Sequence, residues 1–231
     1  MGDITTTVPN SAKKAILPFW IVLDESLSMD HNGGLKLLND ALPKIHGVLR
    51  DHPAISDVAH LAIVAFAGSA HTIVDLCDLS KISQIPSLVA RKDGTNYAGT
   101  FEHVRDAIGR DVAILVADGY AVYRPAVFFF SDGEPNVGGD WRPAHARLVD
   151  PDWQLHPNVI AFGFEAAAEA VIKEVGSLCA YMADPGTDVA TAVAEFATVL
   201  MRTILTSAST GALAVPTQVP GFHLAGASIV A

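Results

Sequence analysis

At 231 residues, half of them hydrophobic and 17% charged, the chain suits one large α/β domain with enough apolar material for a substantial core, which argues against a disordered polymer. The formal net charge of -10 argues against a nucleic-acid scaffold, because phosphate binding needs clustered Lys and Arg, and the adjacent basic pairs are only Lys13-Lys14 and Arg91-Lys92. An acidic surface suits solubility, and carboxylates close together can attract a divalent cation.

The two cysteines, Cys77 and Cys179, lie far apart in apolar, strand-like settings without a CxxC pair; they read as buried free thiols, with a disulfide as the alternative. Met1 to Lys14 lacks a basic start followed by an apolar run, so no secretory signal is expected. The long apolar stretches carry Asp, Glu or Arg, which argues against a transmembrane span, and the expected compartment is the cytoplasm.

Ile16 to Leu23 is a nearly unbroken apolar run that stops at Asp24, the pattern of a strand buried on both faces. Met29 to Gly34 breaks the pattern, after which Leu35, Leu38, Leu42, Ile45 and Leu49 recur at helical spacing; Pro43 inside that stretch predicts a kink. Ala59 to Ala67 and His71 to Leu76 read as an antiparallel pair joined at Gly68-Ser69. A helix is expected from about Tyr97 to Val116, then a buried strand from Ala126 to Phe130. Asn158 to Phe164 reads as a strand, Ala166 to Val175 as a helix, Leu178 to Met182 as a short strand and Thr187 to Leu205 as a final helix.

Strands and helices in alternation, with strands lacking polar alternation, predict a three-layer α/β fold: a mostly parallel central sheet with one antiparallel edge strand and helices on both faces. The expected division is an N-terminal extension over residues 1–15, one domain over 16–206 and a tail over 207–231. That tail, rich in small residues and Pro, is a linker, a docked arm or an added strand pair near Val215 to Leu224.

Ligands of open α/β sheets bind where the carboxyl ends of strands meet the following loops. Three oxygen-rich loops are candidates: Asp24-Glu25-Ser26-Leu27-Ser28 and Ser131-Asp132-Gly133-Glu134, which leave apolar strands, and Asp93-Gly94-Thr95-Asn96, which opens a helix. Asp24, Ser26 and Ser28 alternate, so a turning chain can aim three oxygens at one point; Thr95 adds a hydroxyl and Asp132 a second carboxylate. Such a set suits a hard cation, Mg²⁺ first and Mn²⁺ or Ca²⁺ as alternatives. Two carboxylates against a divalent charge leave the site near neutral, so an anionic partner is not repelled.

The D-x-S-x-S run, the later Thr in a Gly-Thr-Asn loop and a strand ending in Asp-Gly resemble the metal-ion-dependent adhesion site of the von Willebrand factor A family, in matching element order from about Ile16 to Leu205. The resemblance implies a Rossmann-like fold and a module that binds proteins rather than an enzyme. It implies direct metal ligation by Ser26 and Ser28, ligation by Thr95 in the ligand-bound state, and water-bridged roles for Asp24 and Asp132. A Glu or Asp of a partner protein would then take an open position. Leu27 departs from the Gly common between the serines, but removes no ligand. Asp24 to Met29 and Arg124-Pro125-Ala126 leading into Ser131 to Pro135 are similar to cytoplasmic bacterial members, among them proteins of tellurium-resistance and stress operons.

Each loop alone has a plainer explanation, since Asp and Ser after strands often serve as helix caps and turns. Glu25 and Glu134 are expected to tune the field rather than ligate, and Trp141 and Trp153 to pack locally. Two further functions stay in view: a metal-dependent phosphoester or nucleotide hydrolase, and a structural domain with a degenerate site. Against the first, Ser26 stands where a phosphoaspartate mechanism wants a second acid, and Asn32-Gly33-Gly34 lacks the G-K-[ST] of a phosphate-binding loop.

Overall fold

The computed structural model describes residues 14–227 apart from 53–54 and 56–57. Residues 1–13 of the expected N-terminal extension and 228–231 of the tail lie outside the described residues. In chain order the elements are β1 (Ala15–Asp24), α1 (Leu27–His31), α2 (Gly34–Arg50), β2 (Ala59–Phe66), β3 (Ala70–Asp78), a 3-10 turn (Leu79–Lys81) and α3 (Tyr97–Ala117). They continue with β4 (Ala121–Val122), β5 (Ala126–Ser131), α4 (Arg142–Leu148), β6 (Asn158–Gly163), α5 (Glu169–Val175), β7 (Cys179–Ala183), α6 (Val189–Thr210) and β8 (Phe222–Ala227).

The strands form one sheet in the order β3-β2-β1-β5-β6-β7-β8, with β4 beside the start of β1. Pairing is parallel from β2 through β7, as the apolar strands predict. β3 runs antiparallel on one edge, and the tail supplies a second antiparallel strand, β8, on the other.

β1 shows why the domain has three layers. Its odd residues Phe19, Ile21 and Leu23 join the cluster under α2 and α6, with Leu38, Ile45, Phe196 and Leu200. Its even residues Trp20 and Val22 join the opposite cluster under α3, α4 and α5, with Tyr97, Phe101, Trp141 and Ile172. Alternate residues of a strand face opposite sides, so a strand apolar at every position has both faces covered. Pro18 is tolerated in this central strand because its missing N–H falls between the β4 pairing at Ala15–Ile16 and the β5 pairing that begins at Phe19.

Pro43 does not interrupt α2, which runs unbroken to Arg50; the ring sits on the exposed side, where water can take the carbonyl that loses its helical donor. The stretch Met29 to Gly34, expected as a break, begins inside a short helix, Leu27–His31, and only Asn32 and Gly33 separate it from α2. α5 begins at Glu169 rather than Ala166, because Phe164 to Ala167 first closes a turn and Glu165 takes a left-handed φ of 53°. α6 starts after the Asp188 cap and continues to Thr210, where Gly211 ends it at φ 71°. By length and composition α6 is apolar enough to cross a membrane, but Ala192, Val193, Phe196 and Leu200 are buried in the core. Both cysteines are free; Cys179 is buried, but Cys77, expected to be buried, is only half-buried because β3 lies at the sheet edge.

Candidate metal centre

β1 and β5 are neighbours in parallel register with Leu23 beside Phe130, so the next residues, Asp24 and Ser131, emerge level at the carboxyl edge. Chain connections leave β1 toward β2 on one side, while β5 lies on the other, and such a switch of direction opens a crevice above the strand ends. The candidate loops meet there.

Asp24 is fully buried; its Oδ1 accepts from Ser26 N–H at 2.8 Å and its Oδ2 from Ser131 Oγ at 2.6 Å. Ser26 is the N-cap residue of α1, yet its side chain makes no capping bond. Its hydroxyl instead meets the Ser28 hydroxyl at 3.0 Å, and Ser28 donates to Asp132 Oδ1 at 2.9 Å. The capping explanation of the Asp-Ser run therefore fails for Ser26. Asp132 is buried too, and its Oδ2 accepts from Asn32 Nδ2 at 2.6 Å.

Thr95 joins the group through its backbone. Its N–H donates to Asn136 Oδ1 at 2.9 Å, while its carbonyl accepts from Asn136 N–H at 3.0 Å, four residues past Asp132. The next residues lock the loop: Asn96 caps α3 by accepting from Gly99 N–H, and the Tyr97 hydroxyl donates to the Gly133 carbonyl at 3.0 Å. Gly138 is required beside Asn96, since it has a φ of 83° and a Cβ there would come within 2.0 Å of Asn96 Oδ1. Asp24, Ser26, Ser28 and Asp132 are thus linked by their own hydrogen bonds. Thr95 is held against the Asp132 loop, and among the described residues no hydrogen bond ties its hydroxyl to the other four.

The electrostatics show what the cluster lacks. Burial, the largest influence, pushes Asp24 up from 3.8 to about 6, against the pull of its Ser131 and Ser26 hydrogen bonds and with a further push from the Asp132 charge. Burial also raises Asp132, opposed by Ser28 and Asn32 and reinforced by Glu165. Among the described residues no Lys, Arg or His forms an ion pair with either carboxylate. Glu25 is the contrast: equally buried, it turns away to Arg91 Nε at 2.5 Å, with His71 at 3.5 Å. Two buried acids without a cation, beside facing hydroxyls, fit a hard divalent ion. The donors gathered here are carboxylates and hydroxyls, with no Cys or His among them, a set that suits a hard cation rather than a soft one.

Sequence reasoning placed Ser131 in a candidate loop but gave it no role, and assigned no site role to Asn32, Asn136 or Glu165. Ser131 was detectable from strand register, because a residue level with Asp24 on the neighbouring strand must face it. Asn32 and Asn136 are polar loop residues whose partners lie about 100 and 41 positions away, and nothing local marks them. Trp141 does pack, buried against Tyr97 and Phe101 at the start of α4, and Trp153 is half-buried under Arg105.

The family model for the von Willebrand factor type A domain matches residues 19–134. A comparison with curated protein sequences gives no significant match. Among solved structures, proximal thread matrix protein 1 from the mussel byssus, described with a zinc-occupied MIDAS motif, is 14% identical with a TM-score of 0.56, over 84% of this chain and 49% of that one. A von Willebrand factor type A protein from Catenulispora acidiphila is 16% identical with a TM-score of 0.55, over 83% of this chain and 43% of that one. The pilus adhesin SpaC from Lactobacillus rhamnosus GG, in an open conformation, is 12% identical with a TM-score of 0.61, over 85% of this chain and 31% of that one. The chain therefore spans less than half the length of each of these proteins, and at such identities the likeness concerns the fold. The chain belongs to the von Willebrand factor type A domain family, whose members are in general protein-interaction modules, often built around a metal-ion-dependent adhesion site.

Proposed function

We propose that this domain is a divalent-metal-dependent protein-interaction module that captures an acidic side chain of a partner protein. The observation that carries the reading is the pair of buried carboxylates, Asp24 and Asp132, linked from Asp24 through the Ser26 backbone N–H and then through the facing Ser26 and Ser28 hydroxyls to Asp132, with no ion-pairing basic side chain among the described residues to balance them. Such a pair is costly to bury unless a cation joins it. Mg²⁺ is the first choice, because it is held by few carboxylates alongside neutral oxygens and water. When bound, it would supply a coordination position for an incoming carboxylate.

The residues divide the work. Ser26 and Ser28 present neutral oxygens, Asp24 and Asp132 supply charge and water-mediated contacts, and Thr95 stands ready on a separately anchored loop. Ser131 and Asn32 orient the two carboxylates. The reading places residues 16–206 as the interacting domain, in a cytoplasmic bacterial stress-response or signalling assembly, and assigns no turnover to it. The zinc-occupied motif of the mussel relative supports a metal-holding role for this fold.

The test is capture of partners with and without EDTA, using wild type and Ser28→Ala. Partners retained in Mg²⁺, released by EDTA and lost in the variant support the reading. Equal capture in all conditions refutes it.

A further inference from the structure

Glu165 belongs to none of the three loops that build the site, yet it reaches them from a fourth. It lies two residues past the end of β6, on the loop that leads to α5, with a left-handed φ of 53°, a conformation that non-glycine residues adopt rarely. Its Oε2 accepts from Asn32 Nδ2 at 3.1 Å, and the same nitrogen donates to Asp132 Oδ2 at 2.6 Å. One side-chain amide therefore holds two carboxylates side by side, one buried and one exposed.

The Asn32 side chain has no free group with which to turn elsewhere. Its carbonyl is already engaged, accepting from Gly34 N–H at 2.8 Å at the start of α2, which fixes the amide's orientation toward the two acids. Glu165 is exposed and makes no ion pair among the described residues, in contrast to Glu25 with Arg91 and Asp184 with His223. On its other side it lines a cavity of about 370 Å³ with Glu169, Asp184, Thr187 and His223, so it has room to turn away from Asn32.

We infer that Glu165 is the site's own competing carboxylate: an acidic side chain held at the rim that a partner's acidic residue must displace or outbid. The inference rests on the metal-dependent reading above. Its chemistry is direct. With Asp24 and Asp132 alone, a divalent cation leaves the centre near neutral; Glu165 adds a third negative charge, which favours the cation and opposes an incoming anion. Removing that charge has opposite effects on the two binding events. A residue that only caps Asn32 would weaken both together or neither.

The experiment uses the full chain and two probes, Mn²⁺ alone and a short acetylated peptide with a single Glu among Gly and Ser residues. Glu165→Gln keeps an acceptor for Asn32 and removes the charge. Mn²⁺ titration followed by electron paramagnetic resonance should show the variant binding about twofold to fivefold more weakly than wild type. The peptide should bind the Mn²⁺-loaded variant about threefold to tenfold more tightly than loaded wild type at low salt, with the gap shrinking as salt rises. Ser28→Ala reports on the metal reading itself. If wild type takes up Mn²⁺, Ser28→Ala does not, and the peptide binds Glu165→Gln no better than wild type or not at all, Glu165 is no competitor while the metal centre stands. If wild type takes up no Mn²⁺, both fall.

Discussion

Asp24→Asn should stabilise the metal-free protein. An acid raised from 3.8 to about 6 on folding keeps its proton more tightly when folded. Its contribution to stability is present in full below pH 3.8 and is lost as pH rises to about 6. Above that, the folded state carries a buried, uncompensated charge, and a shift of this size corresponds to about 3 kcal/mol. Asparagine removes that penalty with little disturbance. Its Oδ1 can still accept from Ser26 N–H, and its amide can donate to Ser131 Oγ, whose proton can turn to the Gly133 carbonyl at 3.3 Å. Rearranging one hydrogen bond costs about 1 kcal/mol, so a net gain of about 2 kcal/mol is expected at pH 7.5. For a domain of this size that raises the melting temperature by about 4–8 °C.

The assay is urea unfolding followed by circular dichroism in EDTA, for both proteins, from pH 4.5 to 7.5. Other carboxylates titrate in both proteins, so the informative quantity is the difference between them. It should grow with pH and flatten above about pH 6. Adding Mg²⁺ at a hundred times its dissociation constant should stabilise wild type by about 2.7 kcal/mol, closing the gap, and leave Asp24→Asn unchanged. An asparagine variant less stable than wild type in EDTA at pH 7.5, or a difference that ignores pH, would refute the claim that Asp24 is a charge buried in wait of a cation.

Protons should compete with the metal: because Asp24 titrates near 6, Mn²⁺ affinity should fall about tenfold between pH 7 and pH 5, measured by calorimetric titration. Arg91→Ala leaves buried Glu25 without its guanidinium partner, with only His71 at 3.5 Å, and should cost about 1–3 kcal/mol in urea unfolding, most of it restored by adding Glu25→Gln. Gly138→Ala forces a side chain into left-handed backbone against the Asn96 cap; it should cost about 2 kcal/mol and weaken Mn²⁺-dependent partner capture by loosening the Thr95 loop.

Features that arise from residues close in sequence were legible before the structure. β1, β5 and β6 announce themselves as unbroken apolar runs, and such runs can be satisfied only in a sheet covered on both faces. The edges were harder to read. β8 contains Gly226 and exposes His223 and Leu224, so it has neither the alternation of a half-buried strand nor the apolar density of a central one. It becomes a strand because β7 offers an open edge that the tail can reach. α1 was hidden for a similar reason: five residues give no periodicity, and the element is anchored at one end by the Ser26–Arg91 bridge and at the other by the Asn32–Asp132 hydrogen bond.

The same division runs through the candidate centre. Asp24, Ser26 and Ser28 could be read as one group because two-residue spacing on a turning chain is local geometry. Their relation to Asp132 depends on β1 and β5 being neighbours although about a hundred residues separate them, which the crossover rules of a parallel sheet favour but composition does not state. The residues whose role went unread, Ser131, Asn32 and Asn136, bind protein groups rather than forming part of the D-x-S-x-S pattern. They nonetheless decide whether the pattern is a set of caps or a site. Had Ser26 capped α1 and Asp132 found a lysine, the same letters would have described two ordinary loop ends. What distinguishes this chain is that Asn32 and Ser131 hold the two acids in place without neutralising them, which keeps their charge free for something that is not part of the protein.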